Sequence, residues 1–137
     1  MVWVCTKGAC LLVPSGAGSL HHLFVIAIEP VRADGYGSNP MVLMACVTSR
    51  KNGIGHDGAC ELSAGDHPFI THDSFIDYRF TRIEPAQDVE ARVRDGTFIV
   101  KESCSTDLLA RIIHGAAVSR RINREFRQIL AIVSAGS

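Results

Sequence analysis

The sequence predicts a mainly β member of the α+β class: a small sheet or barrel over about residues 1–104, then a long amphipathic C-terminal helix over about 105–133. Three observations carry this. Short apolar stretches separated by turn residues fill the first hundred positions; two of them are apolar at consecutive rather than alternating positions; and the hydrophobic period becomes helical after Ser105. With 137 residues, 47% hydrophobic and 20% charged, the chain has a folding composition and the length of a single domain.

The first strand is predicted at 9–13, ending in a turn through Pro14, Ser15, Gly16, Ala17 and Gly18. Strands at 22–28 and 41–48 flank a loop at 30–40 that is rich in Gly, Asp and Pro. Their consecutive apolar positions are the pattern of strands covered on both faces, which puts them in the middle of the sheet. A polar, glycine-rich stretch at 49–58 follows, then a strand at 59–62, a turn at Ala64, Gly65 and Asp66, and the segment His67-Pro68-Phe69-Ile70. Further short strands are predicted near 78–83 and 97–100. In the helix, Leu108, Ile112, Ser119, Ile122, Phe126, Ile129 and Val133 form the stripe, widened by Leu109, Ile113 and Ala116. Arg120, Arg121, Arg124 and Arg127 fall largely elsewhere on the wheel and give it a basic side. Ser105 or Thr106 caps its start, Asp107 suits the positive end of the dipole, and Gly115 is an interior point where it would kink.

Fourteen Lys and Arg balance fourteen Asp and Glu, so the whole-molecule field attracts no polyanion and a nucleic-acid site must be a local patch. Residues 101–137 carry a net +3 and residues 1–100 a net −3, which puts the excess of positive charge on the helix, as a solvated face or as a contact for RNA or a partner. No apolar run approaches the ~20 residues of a membrane-spanning helix, and the start of the chain lacks the charged opening and continuous apolar run of a signal peptide, so a cytoplasmic location is expected. Five cysteines without a Cys-x-x-Cys pair argue against a disulfide framework and a zinc ribbon, leaving most as small buried hydrophobes.

Two clusters carry candidate chemistry. His56-Asp57, Asp66-His67 and His72-Asp73 place three imidazoles and three carboxylates within eighteen residues of loop. They could ligate a metal, although no pair has a recognisable metal spacing; they could perform metal-free acid/base chemistry; or Asp66 could cap a turn while His67 and His72 bond locally. For acid/base work His67 fits best, because a Gly-Asp turn before it and Pro68 after it constrain its backbone. The second cluster, Thr48-Ser49-Arg50-Lys51-Asn52, leaves the end of a buried strand, where hydroxyls and cations can hold a phosphate. Beside it, His21 and His22 open the neighbouring buried strand.

The order of these pieces resembles the PemK/MazF family of toxins. His22-Leu23-Phe24-Val25-Ile26-Ala27-Ile28-Glu29-Pro30 is similar to the family's Arg-Pro-x-Leu-Val-Leu-Ser-Pro strand, and Leu43-Met44-Ala45-Cys46-Val47-Thr48-Ser49 to its Val-Val-x-Pro-Ile-Thr-Ser strand. The likeness spans roughly residues 8–83 and implies an SH3-like small barrel, metal-independent cleavage of single-stranded RNA, no cofactor, a homodimer and a cognate antitoxin. Carried over by position, Thr48 matches the family's hydroxyl residue, while its catalytic Arg falls on His21 or His22. The segment Gly65-Asp66-His67-Pro68-Phe69-Ile70-Thr71-His72 lies outside the family pattern, and its histidines are expected to face the same cleft as Thr48.

The resulting expectation is a metal-independent endoribonuclease toxin of a type II toxin-antitoxin system. His22, Thr48 and His67 are its catalytic residues, and His21, Ser49, Arg50, Lys51 and His72 hold the substrate. Two rivals belong to other classes: a non-catalytic nucleic-acid or protein binding module on the same barrel, and a metal-dependent hydrolase using the His/Asp cluster.

Overall fold

A strand that is apolar at every position needs cover on both faces, and the two such runs in this chain form the centre of the molecule. The computed structural model describes residues 2–15, 20–51, 53 and 55–135, with 134 and 135 by their backbone alone. Strand β2 (His21–Ile26) pairs antiparallel with β3 (Met41–Ser49) in the register Leu23 to Val47, Phe24 to Cys46, Val25 to Ala45 and Ile26 to Met44. Beyond β2 comes β1 (Cys10–Pro14), and β7 (Ile99–Lys101) forms the edge on that side. On its other side β3 changes partner along its length. Met41 to Met44 pair with β6 (Arg82–Pro85), and Val47 to Ser49 pair with β5 (Ser74–Ile76), which carries β4 (Glu61–Leu62).

Helices cover both faces. Leu23, Val25, Leu43, Ala45, Val47 and Ile76 face a core completed by α2 (Thr106–Val118) and α3 (Arg124–Ala135) through Leu108, Ile112, Ala116, Phe126 and Ile129. The alternate residues Phe24, Ile26, Met44 and Cys46 pack with Leu11 and Val13 against Phe98 and against Ala86 and Val89 of α1 (Ala86–Arg94). This mixed α+β arrangement corrects the closed barrel. The strand path β4-β5-β3-β2-β1-β7 has two free ends, so the seven-stranded sheet stays open. Its end strands are two and three residues long, and the apolar faces are buried by helices rather than by the sheet curling onto itself.

The single C-terminal helix is also corrected: it is two helices with a break at residues 119–123. Ser119 leaves helical geometry and is buried, its amide donating to Gly115 O and its hydroxyl to Asp57. Asn123 restarts the helix by accepting from the Phe126 amide at 2.7 Å, and Arg127 donates back to Ser119 O. The apolar spacing runs on through the break because both helices lie on one sheet face. Nor does Gly115 act as a kink. It lies within α2 (Thr106–Val118), where Tyr78 reaches across to donate to Ile112 O at 2.7 Å. A Cβ at Gly115 would stand 2.3 Å from the Tyr78 hydroxyl, 2.9 Å from Cys60 Cβ and 3.0 Å from Ala59 O.

Of the other expected elements, the strand at 78–83 is a 3₁₀ turn (Tyr78–Phe80) followed by β6, while β5 and α1 were not expected. Residues 16–19 of the expected first turn, and Asn52 of the phosphate-holding cluster, lie outside the described residues. No helix among the described residues is long and apolar enough to cross a membrane.

Candidate active site

The ends of β2 and β3 shape the site. The ladder's last pair is Leu23 to Val47, and its register, extended outward, aligns His22 with Thr48 and His21 with Ser49. Alternation then sends His22 and Thr48 to the Phe24 and Cys46 face, and His21 and Ser49 to the Leu23 and Val47 face. β5 adds a third wall: Ser74 pairs with Ser49, Arg50 N donates to Asp73 O at 3.1 Å, and His72 stands beside them.

A cavity of about 440 Å³ opens at this sheet end. His21, His22, Thr48, Ser49, Lys51 and His72 all line it, over an apolar floor that includes Leu23, Val47 and Ile70. Six of the eight site residues expected from sequence therefore converge. Ser49 Oγ and His72 Nε2 share a hydrogen bond at 2.6 Å, and Thr71 Oγ1 lies 3.3 Å from the other ring nitrogen. On the opposite face a second cavity, about 540 Å³, shares His22 and Thr48 with the first and adds Ser15, Arg79, Phe80 and Arg82. The Ser15 hydroxyl is hydrogen-bonded to His22 Nδ1. Hydroxyl and imidazole are thus paired twice, once on each side of the sheet end.

The electrostatics are local. No Asp or Glu lines either cavity among the described residues, whereas Lys51, Arg79 and Arg82 do, so a neutral molecule presents a positive site. Arg82 lays its guanidinium over Phe24, 5.1 Å from the ring centroid, and has no carboxylate partner among the described residues. Arg79 is braced by buried Asp77, donating from Nε at 3.0 Å and from a terminal nitrogen at 2.8 Å. Burial by itself would push the Asp77 carboxyl up, but these bonds and the Arg79 charge outweigh it and hold the carboxyl below the usual carboxylate range. Its contribution to stability is therefore full above the unfolded Asp value near 4 and fades as the pH drops through the lowered folded value. Asp77→Asn is expected to cost about 1 kcal/mol at neutral pH. Urea unfolding at a series of pH values should show that cost constant above about pH 4 and shrinking progressively as the pH falls further.

Cys46 also lines the second cavity, but burial pushes its thiol up to about 11 and keeps it protonated at neutral pH. It is an apolar wall rather than a nucleophile. Five cysteines are free, four of them buried.

Two expected residues stand elsewhere. His67 is corrected as an acid/base candidate: it is 2% exposed, its Nε2 donates to Glu102 O at 2.6 Å and its Nδ1 accepts from Phe69 N at 2.9 Å. Both nitrogens of a neutral ring are thereby committed to the backbone, so the ring has no proton site left for a substrate. Its job is to tie the 67–70 turn to the segment before α2. His67→Ala is expected to cost about 1–2 kcal/mol by leaving those two backbone groups unpaired, as read by urea unfolding. Arg50 turns away from the cavity to Glu61, 3.5 Å off, a carboxylate it shares with His56.

The three His/Asp pairs do not gather. Asp57 accepts from Ala59 N and from Ser119, Asp66 caps its turn through Ser63 N and meets Arg111 at 3.3 Å, and His72 belongs to the sheet end. A larger cavity of about 610 Å³ lies between the 33–36 turn and α3, but its ionisable lining is Asp34, Tyr36 and Glu125, which would repel a polyanion.

Sequence reading missed Ser15, Arg79, Phe80 and Arg82. The signal that could have found the last three is the run Arg79-Phe80-Thr81-Arg82, cations interleaved with an aromatic ring that proves exposed. No family model matches the chain, and no curated protein matches it in sequence.

Proposed function

We propose that this protein is a metal-independent endoribonuclease that cleaves single-stranded RNA to a 2′,3′-cyclic phosphate, and that it serves as the toxin of a type II toxin-antitoxin pair. The observation that carries the reading is the convergence of His22, His72, Thr48, Ser49 and Lys51 on one cavity, with Arg82 beside His22 in the adjoining one. Paired imidazoles, hydroxyls and cations are what internal transesterification needs. The RNA 2′-oxygen attacks the adjacent phosphorus and the bond to the 5′-oxygen breaks. One imidazole takes the 2′-hydroxyl proton, and the other gives a proton to the departing 5′-oxygen. Lys51 and Arg82 offset the charge that builds on the phosphorane oxygens, while Thr48 and Ser49 hold those oxygens by hydrogen bonds.

The resemblance to PemK/MazF toxins supports the same reading. Thr48, the residue that matches the family's hydroxyl position, lines the cavity at the end of β3. Arg82 supplies a guanidinium beside His22, which stands where the family's strand opens on its catalytic Arg. A homodimer, neutralisation by an antitoxin protein and a cytoplasmic setting complete the proposal.

The test is incubation of the purified protein with a long single-stranded RNA, with and without EDTA, reading fragments and end chemistry. Discrete fragments with cyclic phosphate ends in both conditions are expected. Intact RNA bound by folded protein would replace the nuclease with a binding module, and loss of cleavage in EDTA would replace it with a metal-dependent hydrolase.

A further inference from the structure

Six phenylalanines occur in the chain, and four of them, Phe24, Phe75, Phe98 and Phe126, are buried. The other two, Phe69 and Phe80, are 46% and 57% exposed. One exposed phenylalanine is ordinary on any surface. These two line the two cavities that meet at His22 and Thr48, one on each side. Each also has a cation against it: Lys101 Nζ lies 5.4 Å from the Phe69 ring centroid, and Arg79 Cζ lies 5.1 Å from that of Phe80. The backbone that carries each ring is anchored. The Phe69 amide donates to buried His67, and Phe80 N donates to Asp77 O in the 3₁₀ turn that Asp77 also caps.

An aromatic face beside a cation, on anchored backbone, is the platform that single-stranded nucleic acids use: the ring stacks on a base and the cation meets the neighbouring phosphate. We infer that Phe69 and Phe80 are base-stacking platforms flanking the scissile phosphate, so that a bound RNA single strand crosses the sheet end from one cavity to the other. The position of the cut between them rests on the nuclease reading; the stacking does not. Stacking through ring faces is tolerant of base identity, but it requires unpaired bases, which selects single strands over duplex.

The probes are a fluorescein-labelled, fully 2′-O-methylated A6 strand, which lacks the attacking 2′-hydroxyl, and an abasic strand of the same length and charge. Fluorescence anisotropy of the full-length protein is expected to show tighter binding of A6 than of the abasic strand. Phe69→Leu and Phe80→Leu should each weaken A6 binding roughly 10-fold and leave abasic binding unchanged. Leucine keeps apolar bulk at these exposed positions, and unchanged melting temperatures would establish that both variants fold. Equal affinity of the wild type for the two strands, unchanged A6 binding in both variants, or no binding of A6 would each overturn the inference. Discrimination between the strands without cleavage of unmodified RNA would keep the platforms and remove the nuclease; cleavage with unaltered KM in both variants would do the reverse.

Discussion

His22→Ala and His72→Ala should each lower the rate of RNA cleavage by roughly 10²–10⁴-fold, the usual worth of a positioned general acid or base. The loss should fall on kcat. A residue that only helped to bind substrate would raise KM and leave kcat in place, whereas loss of a proton-transfer group lowers kcat. Both rings stand at the sheet end, half-buried or exposed, and each is hydrogen-bonded to a serine hydroxyl rather than locked into backbone. Neither substitution removes a core contact, so urea midpoints should move little. His67 provides the contrast: His67→Ala should unfold more easily while each folded molecule keeps its chemistry. Full kcat in both His22→Ala and His72→Ala would sink the assignment of these rings as acid and base.

The largest stability effect is expected at Gly115, where Gly115→Val should cost about 3 kcal/mol or more and Gly115→Ala about 2 kcal/mol. Helix propensity argues the other way, since alanine within a helix is favoured over glycine by about 1 kcal/mol. Packing wins because a Cβ there would lie 2.3 Å from the Tyr78 hydroxyl and 3.0 Å from the Ala59 carbonyl. The hydroxyl cannot swing aside, as Tyr78 is fully buried and bonded to Ile112 O, and the carbonyl is backbone. Removing the clashing oxygen should relieve part of the cost, so Tyr78→Phe combined with Gly115→Ala should be less destabilising than the two single effects added together. Strict additivity in urea unfolding would contradict a clash at this contact.

What the sequence made legible was short-range. Strand ends at Thr48 and His22 could be read because a buried apolar run stops where polar residues begin, and the neighbouring positions of β2 and β3 in sequence made them neighbours in space. Doubly covered strands were legible for the same reason, since every position of each run is apolar. His72 and His67 were separated only by the fold. Both sit in one loop beside carboxylates, and three residues of β5, too few for any period to register, deliver His72 to Ser49 across 23 positions. His67 is turned inward by a carbonyl 35 residues away. The break at 119–123 was hidden because apolar spacing reports which face is buried, and both helices bury against the same sheet face. α1 left a faint trace in Ala86, Val89 and Val93 after Pro85, ending at Gly96, whose φ of +84° is cheap only for glycine. The open sheet lay beyond sequence patterning altogether, because alternation and run length record covered faces and not whether a strand or a helix covers them.

In the proposed reaction the RNA itself supplies the nucleophile while protein side chains move protons. Once a cut site is mapped, the direct measurement is a substrate carrying a single 2′-deoxy nucleotide immediately 5′ of that bond. Cleavage should stop there while other sites on the strand are cut as before, and binding should be unchanged. Undiminished cleavage at the deoxy position would mean that water or a hydroxyl such as Ser15 or Ser49 attacks the phosphorus, and would contradict attack by the RNA's own 2′-oxygen.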